Sequence, residues 1–241
     1  MKINPETRHQ DLALYVSDHL ESLDVKDTKW SITTMVIGMY DLPLFACLLS
    51  IFKIEFIWFA SPFILFIHVW LIRILVKNVY STQLEVILYM GCWSLLGAIS
   101  LSVAFQGMLY YYFHITSVVS HIIITLTTIL SAYILVKYQI KKYASDPIKE
   151  RKESNQDKYT GVLSATPGMA YLFTVITKRI DGLNDVLHIF SIYLFVIFCA
   201  YFAAKFLHRY FFMKANMKYV RYQPITAKER KKIKKQGVEI K

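Results

Sequence analysis

Long apolar runs with few charged residues dominate this sequence and limit what it can fold into. An α-helix rises 1.5 Å per residue, so about 20 apolar residues cross a hydrocarbon layer about 30 Å thick. Five runs reach that length, and they occupy residues 30–52, 56–76, 84–105, 109–136 and 186–206. The chain is 19% charged, whereas soluble domains average about 25%. We therefore predict an all-α polytopic membrane protein.

A sixth apolar stretch, 161–176, is shorter and carries Pro167 and Gly168 at its middle. As a helix it would reach only about 24 Å, so hydropathy alone leaves open whether it crosses, re-enters or lies flat. Lys and Arg favour the cytoplasmic side of a membrane. With six crossings and a cytoplasmic N-terminus, only Lys53, Lys178 and Arg179 of the 28 Lys and Arg residues face outside. We therefore expect about six helices in the plasma or inner membrane, with both termini cytoplasmic.

This topology divides the chain into five parts. They are an acidic amphipathic segment (1–29), a four-helix membrane region (30–136), a charged cytoplasmic loop (137–160), two further membrane segments (161–207) and a basic cytoplasmic tail (208–241). The first part lacks the apolar core of a cleavable signal, so the first run is expected to act as an uncleaved anchor.

Both polar ends of the chain carry patterns that indicate contacts. Leu12, Val16, Leu20 and Leu23 recur at helical spacing among acidic residues, which favours a partner surface, either on another protein or on this chain's own tail. The tail cations Lys228, Arg230, Lys231, Lys232, Lys234 and Lys235 are read as topogenic charge, or as a site for anionic lipid headgroups or a protein partner. Nucleic acid is an unfavoured partner, because no aromatic residues or fold motif accompany the run.

Two ionisable groups in the first two runs are predicted to lie at a similar depth. Asp41 and His68 fall near the middle of neighbouring antiparallel spans, and Pro43 frees a carbonyl one turn earlier, where the helix is expected to kink. A carboxylate beside an imidazole suits either a proton relay or a buried structural pair. At the other end of the last run, Lys205, His208 and Arg209 are expected to be anchors that snorkel to the membrane interface.

The fourth run carries a polar stripe. His114, Ser117, His121, Thr125, Thr128 and Ser131 step by three or four residues, which places them on one helix face if the run is helical throughout. Such a face packs against other helices through hydrogen bonds or lines a hydrated path. We favour packing.

Metal and cofactor sites are not expected. His114 and His121 would lie about 10.5 Å apart along a helix, too far to share one ion. A haem that is held by one of these two histidines, with His68 or His188 from another helix as the second ligand, is a weaker alternative. Cys47, Cys92 and Cys199 all lie in apolar runs and indicate small packing residues rather than disulfides.

The sequence contains no phosphate-binding, serine-hydrolase or zinc-protease motif. We therefore expect a non-enzymatic membrane protein that works through helix packing and cytoplasmic contacts, as an accessory, regulatory, immunity, exclusion or sensing protein. The alternatives are a small oligomeric transporter or channel that uses Asp41, His68 and the polar stripe, and a haem-binding redox subunit.

Overall fold

The computed structural model describes residue 3 and residues 7–23, 28–144 and 183–224. Within these residues the fold is helical, and five helices are long and apolar enough to cross a membrane. The stretch 161–176 and the cations of the tail run 228–235 lie outside the described residues. The membrane-protein prediction is therefore confirmed at the level of five candidate spans.

The helices follow one another closely along the chain. They are α1 (Leu14–Leu20), α2 (Thr28–Val36), α3 (Leu42–Ile51), α4 (Ile54–Val76), α5 (Gln83–Tyr111), α6 (Val118–Ala144) and α7 (Leu183–Ala215). A π-helical turn, Ile37–Asp41, joins α2 to α3, so that these three pieces form one candidate span.

The π turn has a local cause in the sequence. Pro43 has no N–H group, and its ring clashes with the carbonyl four residues earlier, which belongs to Met39. A π turn accommodates this break by inserting one residue into the helix. The thiol of Cys199 on α7 lies 3.9 Å from the Met39 carbonyl and donates to it. The helix is therefore irregular where Pro43 predicted a break, and Asp41 lies at the end of the π turn.

The boundary between the third and fourth runs differs from the prediction. α5 continues to Tyr111, and the link to α6 occupies residues 112–117. His114 there adopts a left-handed φ of 55°, a conformation in which His is enriched among non-glycine residues. His114 and Ser117 thus lie in the link and do not share a helix face with His121, so the first two positions of the predicted stripe were wrong.

α5 forms the centre of the bundle. It packs against α3 and α4 on one side and against α7 on the other. Gly91 permits the closest approach, because a Cβ there would lie 2.7 Å from Leu207 Cδ2 and 2.9 Å from Leu207 N.

α6 and α7 run parallel to each other. Tyr193 OH donates to Thr127 Oγ1 at 3.1 Å near the start of both helices, and the rings of Tyr143 and His208 stack with centroids 5.0 Å apart near their ends. Ala144 and Leu183 therefore lie at opposite ends of the bundle.

The two ends of the described chain meet at the same end of the bundle. Arg221 N donates to Leu20 O at 3.1 Å, and Ser22 N donates to Arg221 O at 2.9 Å. Tyr219 OH donates to the Thr7 carbonyl at 3.1 Å. Residues 7–23 docked on residues 205–223 are called the clasp below.

Candidate functional site

The clasp is built on the apolar face of α1. Val16 and Leu20 are fully buried, as their spacing predicted, and they seal the segment against the end of α7. Between them in the sequence, His19 is also buried, and it belongs to the same face because it follows Val16 by three residues. The amphipathic N-terminal segment therefore has a partner surface within its own chain.

A pair of histidines lies at the centre of the clasp. His19 Nε2 and His208 Nδ1 are 3.1 Å apart, so one ring donates a hydrogen bond to the other. Both rings stack on Tyr143 of α6, with centroids 3.9 Å and 5.0 Å away, and the ring of Phe212 borders the group. The pair thus joins α1, α6 and α7 at one point.

The surroundings of His19 keep its ring neutral. Burial, followed by the charge of Arg209 and smaller effects of His208, Lys142 and Lys205, lowers the pKa of His19 from 6.5 to about 2. The same cations disfavour a metal ion between the two imidazoles. Among the described residues, no group of three His, Cys, Asp or Glu side chains is placed to hold a metal.

Arg209 fixes the backbone of the docked segment. Its Nη2 donates to the carbonyls of Asp18 and Glu21, just before and after the C-terminal end of α1. A cation near unpaired helix carbonyls also interacts favourably with the helix dipole. Arg209 was predicted to be a snorkelling anchor. The structure shows that its guanidinium binds backbone carbonyls of the docked segment, and its position relative to a membrane interface stays a prediction.

A second candidate site lies inside the bundle, where α4 meets the π turn. His68 Nε2 is 3.2 Å from Asp41 Oδ2, and His68 Nδ1 is 2.8 Å from the Ile64 carbonyl. A carbonyl only accepts, so Nδ1 carries a proton. The proton between Nε2 and Oδ2 then belongs either to an imidazolium–carboxylate pair or to an imidazole and a carboxylic acid, and both forms have zero net charge.

The two residues of this pair differ in exposure and in hydrogen bonding. Asp41 is 8% exposed, and its Oδ1 is a buried atom without a hydrogen-bond partner among the described residues. The side chain of His68 is 36% exposed on the outer face of α4. The pair therefore couples a buried, incompletely paired carboxylate to a ring that reaches the surface of the bundle.

The remaining part of the polar stripe forms a hydrogen-bond cluster between α5 and α6. His121 contacts the Gln106 side-chain oxygen through Nδ1 and the Ile115 carbonyl, 2.8 Å away, through Nε2. Gln106 Nε2 donates to Thr125 Oγ1 at 3.2 Å. Thr128 Oγ1 donates to the Ile124 carbonyl at 2.8 Å. Each of these groups is paired with a neighbour, as a packing role requires.

The other predicted residues are not brought into these sites. His114 and Ser117 are exposed in the link after α5, and His188 lies on α7 with its side chain outside the described part of the chain. Both ring nitrogens of His68 and of His121 already face oxygen atoms. Neither ring offers a free nitrogen to a haem iron.

Sequence reasoning missed His19, Tyr143 and Gln106. His19 had a detectable signal, because it shares the helical spacing of Val16 and Leu23. Tyr143 and Gln106 had none, since each becomes a site residue only through contacts with helices distant in the sequence.

The fold and these sites define a multi-pass α-helical protein with five candidate membrane spans and a folded segment docked at one end of the bundle. No family model, curated protein or solved structure matches this chain.

Proposed function

We propose that this is a non-enzymatic multi-pass protein of the plasma or inner membrane that works through contacts at its cytoplasmic face. The clasp is the observation that carries the proposal. A 17-residue segment, residues 7–23, is held on the end of α7 by a buried apolar face, a histidine pair and an arginine, although it contributes nothing to the membrane spans. Such a specific arrangement favours a surface that partners recognise.

Six crossings with cytoplasmic termini agree with this proposal. Residues 7–23 and 216–224 lie at the same end of the bundle, and chain ends on one side of a membrane require an even number of crossings. Five candidate spans are described, and in this proposal the connection 145–182 supplies the sixth. The concentration of Lys and Arg at the clasp end supports a cytoplasmic position for that end.

The outer surface of the clasp has the chemistry of a protein contact. Asp11 and Asp18 are exposed on the docked segment, and Lys214 is exposed on α7. Charges of both signs on a rigid surface favour a partner of complementary pattern over a uniformly anionic membrane. The lysine-rich run at 228–235 adds a flanking basic segment for anionic headgroups or for the same partner.

Purification from mildly solubilised membranes tests this proposal. The tagged wild type should retain a stoichiometric protein partner or a second copy, and Leu20→Asp, which places a charge at a fully buried position of the clasp, should lose it. Glu55→Lys, at the exposed opposite end of the bundle, is the matched control and should keep it. A wild type that purifies alone, or a Leu20→Asp variant that keeps the partner, contradicts the proposal.

A small proton-coupled transporter is the second candidate, and the Asp41–His68 pair favours it. Asp41 Oδ1 has no hydrogen-bond partner in the described part of the chain, and the His68 ring is partly exposed. Both features are expected of a group that exchanges a proton inside a membrane. Proton flux in proteoliposomes should then disappear in Asp41→Asn. Equal flux in the wild type, in Asp41→Asn and in empty liposomes would eliminate this candidate.

A further inference from the structure

A long apolar groove separates α6 from the centre of the bundle. It has a volume of about 1030 Å³ and is walled by α5, α6 and α7. On α6 its lining extends from His121 to Ile140, which corresponds to about 28 Å along a helix. The groove therefore runs through a thickness similar to the hydrocarbon layer of a membrane, about 30 Å.

Small side chains create this groove. Ala98 and Ser102 line it from α5, and Ala200, Ala203 and Ala204 line it from α7. None of the residues in the most apolar 18-residue part of α6 is buried, whereas 56% of the residues in the corresponding part of α5 are buried. α6 contacts α7 at both ends but meets α5 at the Gln106–His121 cluster. Small residues on two helices that pack together form a surface on which a further membrane segment can pack closely.

The course of the chain identifies the segment. α6 and α7 are parallel, and each forms one wall of the groove. The chain therefore leaves α6 at the clasp end of the bundle and enters α7 at the opposite end. Residues 145–182 make this return, and 161–176 is the apolar stretch that they contain. At 1.5 Å per residue that stretch reaches about 24 Å, close to the length of the groove.

We propose that the groove between α5, α6 and α7 is the docking surface of the chain's own apolar stretch 161–176. The proposal rests on the six-crossing topology given above. The large side chains of the stretch, among them Met169, Tyr171 and Phe173, complement the small residues of the walls. The polar cluster of Gln106, His121 and Thr125 lies at the end of the groove that the stretch reaches last, where it offers partners for the hydroxyl of Thr174. Docking there joins α6 to the bundle along its whole length.

Cysteine cross-linking tests the occupant. In a background without Cys47, Cys92 and Cys199, each position from 168 to 172 is replaced by Cys in turn and paired with Ala132→Cys or Ser102→Cys in the groove. A short bismaleimide reagent should give an intramolecular cross-link at one or two of the five positions. Leu126→Cys, which lies on α6, is 60% exposed and does not line the groove, is the matched control and should give none.

Three other results overturn the proposal. A dimer formed through Ser102→Cys alone makes a second copy the occupant. Lipid that stays bound to the purified protein, together with no cross-link, makes acyl chains the occupant. Equal cross-linking to Leu126→Cys shows that the stretch does not select the groove. Labelling of Asp181→Cys from outside only, measured in parallel, shows whether the topology still holds when the docking fails.

Discussion

Acidification should release residues 7–23 from the clasp, because His19 binds a proton in the free segment but not in the docked one. Burial and the neighbouring Arg209 lower the pKa of His19 from 6.5 to about 2 when the segment is docked. Docking therefore has its full stability above pH 6.5 and loses it as the pH falls toward 2, since the free segment binds the proton and the docked one does not. Each pH unit in that interval is worth about 1.4 kcal/mol, or tenfold in the docking equilibrium.

The magnitude at accessible pH follows from these values. The docking free energy should fall by about 1.4 kcal/mol at pH 5.5 and by about 2 kcal/mol at pH 5. The charges that act on His19 are Lys142 on α6 and Lys205, His208 and Arg209 on α7, and all of them reinforce the effect of burial. Asp18 and Glu21 of the docked segment act on Arg209.

Distances between two spin labels measure this equilibrium. Labels at Asp11→Cys and Lys214→Cys, both at exposed positions, report docked and free populations in a background without the native cysteines. Leu20→Ala, which removes part of a fully buried side chain, weakens docking by about 2–5 kcal/mol and brings both populations into view. His19→Gln is the control, because it still forms hydrogen bonds but does not titrate.

The expected result is a rise of at least tenfold in the ratio of free to docked segment for each pH unit below 6.5, and a clearly shallower response in His19→Gln, in which burial still lowers the pKa of His208. A flat response in the chain that retains His19 refutes the reasoning. So does an equal slope in both, which would assign the effect to another group.

Three further predictions concern packing and charge. Gly91→Ala should lower the free energy of unfolding by about 1–3 kcal/mol, because the new Cβ meets the Leu207 backbone. Gly97→Ala, whose Cβ would have its nearest contact at 3.4 Å, should lower it much less when both are measured by thermal unfolding in detergent. Equal losses contradict this account of the α5–α7 contact. His121→Leu should lower the free energy of unfolding by about 1–2 kcal/mol, because it removes the partner of the Gln106 side-chain oxygen and of the Ile115 carbonyl. His121→Gln should be nearly neutral. A stable but inactive His121→Gln would instead indicate a conducting or ligating role. Replacing Lys231, Lys232, Lys234 and Lys235 by Gln should weaken binding to anionic vesicles or to the partner in a salt-sensitive way, and unchanged binding at every ionic strength would leave the run as topogenic charge.

Hydropathy and helical spacing were sufficient for the coarse architecture. The apolar runs predicted the five candidate spans, the spacing of Val16 and Leu20 predicted a buried face on the N-terminal segment, and Pro43 predicted the break near Asp41. Each of these signals is local, since it depends on side chains within a few residues of one another.

The sites themselves depend on contacts that no local pattern contains. The end of α5 was misplaced because Gln106 and Gly107 resemble a loop, although the amide pairs with Thr125 on α6 and Gly107 allows Phe56 to approach closely. His208 and Arg209 were read as interface anchors because their partners, His19 and the α1 carbonyls, are nearly 190 residues away in the sequence.

A disulfide lock across the clasp tests most directly whether the docked N-terminal segment forms the partner surface. Glu21 and Arg221 pair in a parallel bridge, so Glu21→Cys with Arg221→Cys in the cysteine-free background should oxidise to an intramolecular disulfide. Partner retention during purification is then compared for the oxidised lock, the same protein after reduction and the undocked Leu20→Asp variant. We predict that the oxidised and reduced forms both retain the partner and that Leu20→Asp loses it. Retention by Leu20→Asp combined with loss from the oxidised lock would contradict the account, because the partner would then require the free segment.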